Sequence, residues 1–295
     1  MTSKTSAQNA DLNSISWKLS DLDKIKKSGL KVVSTFCCGG GSTMGYKLAG
    51  YDVVGGVDID QELAKVYRTN HKPKKYFLSD VRDLKNNKEF IEYTKGKIDI
   101  LDGSPPCSIF SRARGTKTIT NTEKKFREGQ KKQRLDDLFF HFIDLAQEIQ
   151  PKVIVAENVM GLVEGKNRGY MKDILNKFSS AGYEAQVFTM NGANFGLAQA
   201  RQRVFFVCIR RDLFTKKLKL PNSANFKKFY FQDIDDGDVK GFKLNTSLQM
   251  HLWKTTIPGG TFENAAKKMG KKPSFFSWRR LHPRRPTPTL VSASW

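Results

Sequence analysis

The feature that most constrains this chain is an alternation of short apolar runs with helical stretches, starting at Lys31 and continuing to Ile209. Lys31-Val32-Val33-Ser34-Thr35-Phe36 reads as a buried strand running into Cys37-Cys38-Gly39-Gly40-Gly41-Ser42-Thr43-Met44-Gly45 and a helix to about Ala49. Val53–Val57 reads as a second strand; it ends in Asp58-Ile59-Asp60 and opens a helix over Gln61–Asn70. Further strands are expected at Tyr76–Leu78, Ile98–Leu101, Val153–Ala156, Ala185–Thr189 and Val204–Ile209, with helices over Arg134–Ile149 and Tyr170–Phe178. Strand and helix in this rhythm specify an α/β fold, a doubly wound and mostly parallel sheet with helices on both faces. A short amphipathic helix over Trp17–Ser28, stopped by Gly29, is expected ahead of it.

Ligands of such sheets sit beyond the carboxyl ends of the strands. Glycines after the first strand let the backbone approach a ligand, and an acid ending the second suits a ribose hydroxyl pair. Gly39 and Asp58 stand 19 positions apart, near the spacing of a nucleoside-binding unit. The glycines run G-x-G-x-x-x-G (Gly39, Gly41, Gly45), which counts against a nicotinamide or flavin dinucleotide. A tight strand-to-helix turn with no ligand is the alternative.

Three later stretches carry candidate chemistry. In Gly103-Ser104-Pro105-Pro106-Cys107-Ser108-Ile109-Phe110-Ser111, two prolines fix two φ angles and remove two backbone donors. Cys107 is then either a positioned nucleophile or a small apolar group tucked beneath a turn. Val155-Ala156-Glu157-Asn158-Val159 places a carboxylate and an amide at a strand end. Glu157 is a cap or ion-pair partner there or, beside a nucleophilic Cys, a protonated donor to a ring nitrogen. In Gln199-Ala200-Arg201-Gln202-Arg203 the arginines alternate along an extended segment, sharing an anion or base on one side or forming a solvated basic edge.

The formal net charge of +22 over 295 residues attracts a polyanion, and nucleic acid is the usual one. The sequence has no long apolar span and no basic amphipathic helix with aromatic anchors, so no membrane is expected. Cys37, Cys38, Cys107 and Cys208 have neither zinc-like spacing nor the pattern of a disulfide framework. No metal is expected, and a reducing, intracellular and cytoplasmic setting fits. Residues 1–16 read as a polar, disordered arm.

Taken in order, Phe36-Cys37-Cys38-Gly39-Gly40-Gly41, Pro105-Pro106-Cys107, Glu157-Asn158-Val159 and Gln199-Ala200-Arg201-Gln202-Arg203 resemble the DNA (cytosine-5) methyltransferases. The resemblance runs from about Lys31 to Ile209 and resumes near the end. Two departures stand out: Cys38 replaces the first glycine of the F-x-G-x-G-G loop, and an Arg often found before the long helix is out of register, though Leu138 fits the neighbouring apolar position. The resemblance implies a Rossmann-like catalytic domain over 17–211 and a smaller, irregular target-recognition region over 212–295. It implies S-adenosylmethionine as cofactor, S-adenosylhomocysteine as product and double-stranded DNA as partner.

The cofactor positions so implied are Phe36, Gly39, Gly40, Gly41, Asp58 at the ribose, Ile59 on the adenine, Asp80 at its amino group, Val81, Pro106 and Leu138. Cys107 would attack carbon 6 of a cytosine flipped out of the duplex, while Glu157 protonates or hydrogen-bonds N3. Arg201 would contact the base carbonyl, and Arg203 and Asn158 would hold the site rigid. Ser111, Arg112, Arg114 and Gln199 would touch DNA.

Between Arg112 and Arg134 nine Lys or Arg stand against two Glu. Such a segment forms no core of its own, and it is expected to close over bound DNA with arginines on phosphates. After Arg211 the alternation stops, and Lys216–Arg285 is basic, aromatic and irregular. Arg279–Leu290 resembles the approach to the family's last two motifs. The expectation is a large subunit completed by a short second polypeptide, with a truncated chain as the alternative. An RNA cytosine-5 methyltransferase and a non-catalytic DNA-binding subunit are the rival functions.

Overall fold

The computed structural model describes residues 19–106, 137–230, 233, 251–252, 254–257, 262–270 and 287–288. The chain divides into two compact units, Met1–Thr189 with Arg203–Leu220, and Met190–Gln202 with Pro221–Trp295.

The first unit is built on a seven-stranded sheet. Its strands are β1 (Lys31–Thr35), β2 (Asp52–Asp58), β3 (Lys75–Leu78), β4 (Ile100–Gly103), β5 (Val153–Val159), β6 (Tyr183–Asn191) and β8 (Gln202–Arg210). They lie in the order β3-β2-β1-β4-β5-β8-β6. The pairs β1–β2, β1–β4, β2–β3 and β4–β5 are parallel, whereas β8 runs antiparallel to β5. The doubly wound reading holds, with β8 entering antiparallel to β5.

Helices α1 (Gly41–Leu48), α2 (Gln61–His71), α5 (Leu138–Ile149) and α6 (Arg168–Ser180) match the expected elements to within a few residues. In α5, Leu138, Phe139, Phe142, Ile143, Leu145, Ala146 and Ile149 are buried, an i, i+1, i+4, i+5 stripe that presses one helix face on the sheet. Gln150 ends the helix in the left-handed region, with Pro151 after it. The main core joins this face to Val33, Leu101, Ile154, Val204 and Phe206.

Two short helices escaped the periodicity, α3 (Val81–Leu84) and α4 (Lys88–Thr94). They are set by side chains at their starts: Asp80 Oδ1 accepts from Arg82 N at 2.9 Å, and Asn87 Oδ1 from Phe90 N at 3.0 Å. Helices of one or two turns are too short to show a 3.6-residue pattern. The helix expected over Trp17–Ser28 is, in its described part, a 3-10 turn over Leu19–Lys24. Beyond it the backbone pairs elsewhere: Ser28 N donates to Gly50 O at 2.8 Å and Asp52 N to Leu30 O at 2.9 Å. These tertiary bonds outweigh a weak local propensity.

Gly103, at the end of β4, is a close-approach position. A Cβ there would stand 2.6 Å from both Phe142 Cε2 and Thr35 Oγ1. Gly103→Ala is expected to destabilise the chain by about 1–3 kcal/mol through overpacking, read as a lower urea midpoint with unchanged slope.

In the second unit, Leu252, Ala265 and Ala266 form a small buried cluster, the last two on α7 (Phe262–Lys268). Strands β7 (Gln199–Ala200) and β9 (Thr287–Pro288) pair in parallel. Phe195 and Phe226 meet edge to face at 5.4 Å.

Candidate functional site

Strands β2 and β3 lie on one side of β1, and β4, β5, β8 and β6 on the other. The winding reverses between β1 and β4, and doubly wound sheets bind ligands in the crevice at that reversal. A cleft with about 390 Å³ of empty volume opens there. Thr35 and Phe36 line it from β1; Val57, Asp58 and Ile59 from β2; Ser79, Asp80 and Val81 from beyond β3; Pro106 from beyond β4; and Leu138 from α5. The structure thus gathers seven of the implied cofactor positions, Phe36, Asp58, Ile59, Asp80, Val81, Pro106 and Leu138, around one cavity. Thr35, Val57 and Ser79 were not anticipated, although each sits at or just past the carboxyl end of a strand, which was the available signal.

The two carboxylates are held from below. Asp58 Oδ2 accepts from Cys38 N and Oδ1 from Asp60 N, each at 2.9 Å. Asp80 accepts through Oδ2 from Arg82 Nη1 at 2.8 Å, and Arg82 Nη2 donates to Asp137 Oδ1 at 2.9 Å, fixing the start of α5. A carboxylate oxygen has two lone pairs, so both acids keep acceptor capacity toward the cleft. Ile59 is 44% exposed at its rim. Acceptor-only carboxylates beside an uncovered aliphatic group suit a nucleoside, which offers hydroxyl and amino donors and a flat apolar base.

The glycine loop packs on this wall. Phe36 and Cys38 have φ of +52° and +44°, and Gly40 has +92°. Gly40 N donates to Cys37 O at 2.8 Å. Beneath the loop, buried His71 places Nε2 3.3 Å from Gly39 O. Cys38, standing where the family has glycine, therefore carries a side chain in a left-handed conformation, which costs about 1–2 kcal/mol. Cys38→Gly should relieve that strain, while the added freedom of the unfolded chain takes back about 0.4–1 kcal/mol. A urea midpoint equal to or slightly above wild type is the expected result.

At the end of β5 successive side chains serve opposite faces. Asn158 is buried, donates through Nδ2 to Pro105 O at 3.2 Å and accepts through Oδ1 from Val159 N at 2.8 Å. It ties the strand to the Pro-Pro step. Glu157 Oε1 lies 2.8 Å from Arg203 Nε in a half-buried ion pair. Register places the partner: β8 runs back along β5 so that Val159 faces Arg203 and Glu157 faces Phe205.

Arg201 is not part of one continuous extended segment with Arg203. Its N donates to Gln199 O at 3.0 Å in a tight turn, its O accepts from Gly192 N at 2.9 Å, and it falls with Gln199 in the second unit. Gly39, Gly40 and Gly41 do not line the cleft wall, and Cys107, Ser111, Arg112 and Arg114 lie outside the described residues.

Burial pushes the Cys37 thiol up to about 12, and the buried Cys208 thiol well above its ordinary value. Neither supplies thiolate near neutral pH. Among the described residues no His, Cys, Asp and Glu cluster has the makings of a metal site, and no helix is long and apolar enough to cross a membrane.

Sheet order, switch-point cleft and acid-lined wall define a doubly wound α/β protein whose crevice has the chemistry to suit a nucleoside-bearing ligand. Comparison with known proteins narrows this. The family model for C-5 cytosine-specific DNA methylase matches residues 30–272. The Type II methyltransferase M.FnuDI of Fusobacterium nucleatum is 28% identical over 88% of this chain and 74% of its own length. M.Sau96I of Staphylococcus aureus is 28% identical over 92% of this chain and 61% of its own. M.NgoPII of Neisseria gonorrhoeae is 31% identical over 62% and 49%. The chain thus spans between about half and three quarters of the length of these relatives. The S. pombe Dnmt2 methyltransferase shares the fold, with a TM-score of 0.55 at 17% identity over 77% of this chain and 66% of that one. The chain belongs to the C-5 cytosine-specific DNA methylase family.

Proposed function

We propose that this chain transfers a methyl group from S-adenosylmethionine to carbon 5 of cytosine in double-stranded DNA. The observation that carries the reading is the switch-point cleft, where the implied cofactor residues converge beside the Pro-Pro step leading to Cys107. Bound there, S-adenosylmethionine supplies an electrophilic methyl group on a sulfonium. Asp58 would take the ribose hydroxyls, Asp80 the adenine amino group, and Phe36, Ile59, Val81 and Leu138 the apolar faces.

Carbon 5 of cytosine is a weak nucleophile. Addition of the Cys107 thiolate to carbon 6 forms a sulfur–carbon bond and makes carbon 5 electron-rich, while Glu157 donates a hydrogen bond or proton at N3. After carbon 5 is methylated, loss of its proton and expulsion of the thiolate restore the ring. Arg203 holds Glu157 in place, and Asn158 holds the Pro105 carbonyl. Arg201 would contact the base carbonyl, with Gln199, Ser111, Arg112 and Arg114 on DNA. The base must leave the stack for any of this, and the net charge of +22 supports the polyanionic partner.

The test is transfer of labelled methyl from S-adenosylmethionine to mixed-sequence DNA and to folded RNA, each with and without a short polypeptide carrying the family's last motifs. Label on DNA carbon 5 supports the reading; label on RNA alone overturns it, as does DNA binding without label in every arm. In the active arm, Glu157→Gln should lower transfer by about 10²–10⁴-fold with DNA affinity unchanged.

A further inference from the structure

Asp102, on β4, has no part in the chemistry above, yet it is only 7% exposed. Ser34 Oγ and Ser42 Oγ each donate to its Oδ2 at 2.7 Å, and Tyr46 Oη donates to Oδ1 at 3.4 Å. Ser34 lies on β1, and Ser42 and Tyr46 on α1. The Asp102 backbone carbonyl accepts from Thr35 Oγ1 at 3.0 Å. One residue therefore joins the strand entering the glycine loop, the helix leaving it, and the strand leading to Pro105-Pro106-Cys107. An isolated buried carboxylate is costly, and a hydrophobic residue would fill the space at less cost. What a hydrophobic residue would not provide is the link.

The β4–β5 register pairs Asp102 with Val155, so Glu157, two positions on, shares its face of the sheet. The other titratable groups that face Asp102 are Tyr46 of α1 and Tyr67 of α2, both kept neutral by burial. Burial raises the Asp102 carboxyl above the usual carboxylate range, and the Glu157 charge adds to this, against the pull of the Ser34, Ser42 and Tyr46 hydroxyls.

We propose that Asp102 is a positioning residue that sets the glycine-rich cofactor loop in register with the end of β4 and its Pro105-Pro106 step. The proposal rests on the methyltransferase reading of the cleft. Hydroxyls donate to both oxygens of Asp102, two to Oδ2 and one to Oδ1; the ionised form accepts all three and binds them more strongly, whereas a proton on the carboxyl turns one acceptor into a donor. Cofactor binding should therefore strengthen as pH rises through the raised pKa of Asp102 and weaken below it.

The experiment is calorimetric titration of S-adenosylhomocysteine into the full chain and into Asp102→Asn and Ser42→Ala, from pH 5.5 to pH 8.5, alongside urea unfolding and DNA binding. In wild type, affinity should rise with pH. In Asp102→Asn it should be about tenfold weaker at pH 8.5, the rise should flatten, and DNA affinity should stay the same. Asp58 is common to both proteins, so the difference between the two curves isolates Asp102. Ser42→Ala should weaken binding in the same direction, and adding it to Asp102→Asn should cost less than it does alone.

An Asp102→Asn chain with wild-type affinity and pH dependence overturns the proposal. Should that variant fail to fold, Ser42→Ala decides: wild-type affinity there overturns the proposal too. Wild type that does not bind S-adenosylhomocysteine at any pH defeats the cofactor reading itself, and this proposal with it. Binding by wild type with no effect of either variant defeats only the role of Asp102.

Discussion

Cys107→Ser is expected to lose methyl transfer by on the order of 10⁴-fold or more, with affinity for S-adenosylhomocysteine and DNA retained. A serine hydroxyl is far less acidic than a thiol, so the variant has almost no anion with which to attack carbon 6. Cys37 and Cys208 offer no substitute, because burial keeps their thiols protonated near neutral pH. The substitution leaves the preceding Pro105-Pro106 step untouched, where Asn158 holds the Pro105 carbonyl at 3.2 Å. Trapping provides a second readout. DNA carrying 5-fluorocytosine cannot lose a proton from carbon 5, so wild type should form a denaturation-resistant complex and Cys107→Ser none. Substantial transfer by the serine variant would remove the covalent step from the mechanism.

Gly40→Ala is expected to have the largest effect of any single change in the cofactor loop. Its φ of +92° is a left-handed conformation, and a Cβ there would stand 1.9 Å from His71 Nε2. His71 has little room to retreat: its ring packs on Tyr67 at 4.8 Å, and it is only 6% exposed. Backbone strain and overlap together should cost about 2–4 kcal/mol, with binding of S-adenosylhomocysteine weakened about 100-fold as the loop shifts. Combining it with His71→Ala should recover the overlap but not the backbone strain, so the double variant should be more stable than additivity predicts. By contrast, nothing lies within 4 Å of a Cβ at Gly39 or Gly41. Alanine there should leave the urea midpoint nearly unchanged, and any loss should appear in ligand affinity alone. A Gly40→Ala chain with wild-type midpoint and affinity would refute the steric account.

Much of the site was legible because its residues stand where strands end. Apolar runs located β1, β2, β4 and β5, and in a doubly wound sheet the residues just after each run must border the crevice. Asp58 was read from that rule, Asp80 and Pro106 came from the family resemblance, and the rule also marks Thr35 and Ser79, which were missed. What could not be read depends on groups distant in sequence. The insertion of β8 beside β5 has no local signature, yet it is what brings Arg203 to Glu157. The network on Asp102 joins residues 68 and 60 positions away, Ser34 and Ser42, and the sequence alone put Asp102 only just past the strand expected at Ile98–Leu101. The turn at Arg201 was hidden for another reason: alternating arginines look the same whether the strand is continuous or broken between them.

The alternating faces of β5 have a consequence for how this chain can change. Glu157 and Asn158 are neighbours with unlike tasks, and only the pleat assigns one to each side. A one-residue insertion within Val153–Ala156 would exchange them, putting the amide beside Arg203 and the carboxylate against the Pro105 carbonyl, where two acceptors would meet without a proton between them. Seven consecutive pairs, from Val153 with Ile209 to Val159 with Arg203, resist such a slip on one side. The parallel pairs with β4 resist it on the other. The strand acts as a ruler clamped along both edges, so drift in length is tolerable in the connections around β5 but not within it.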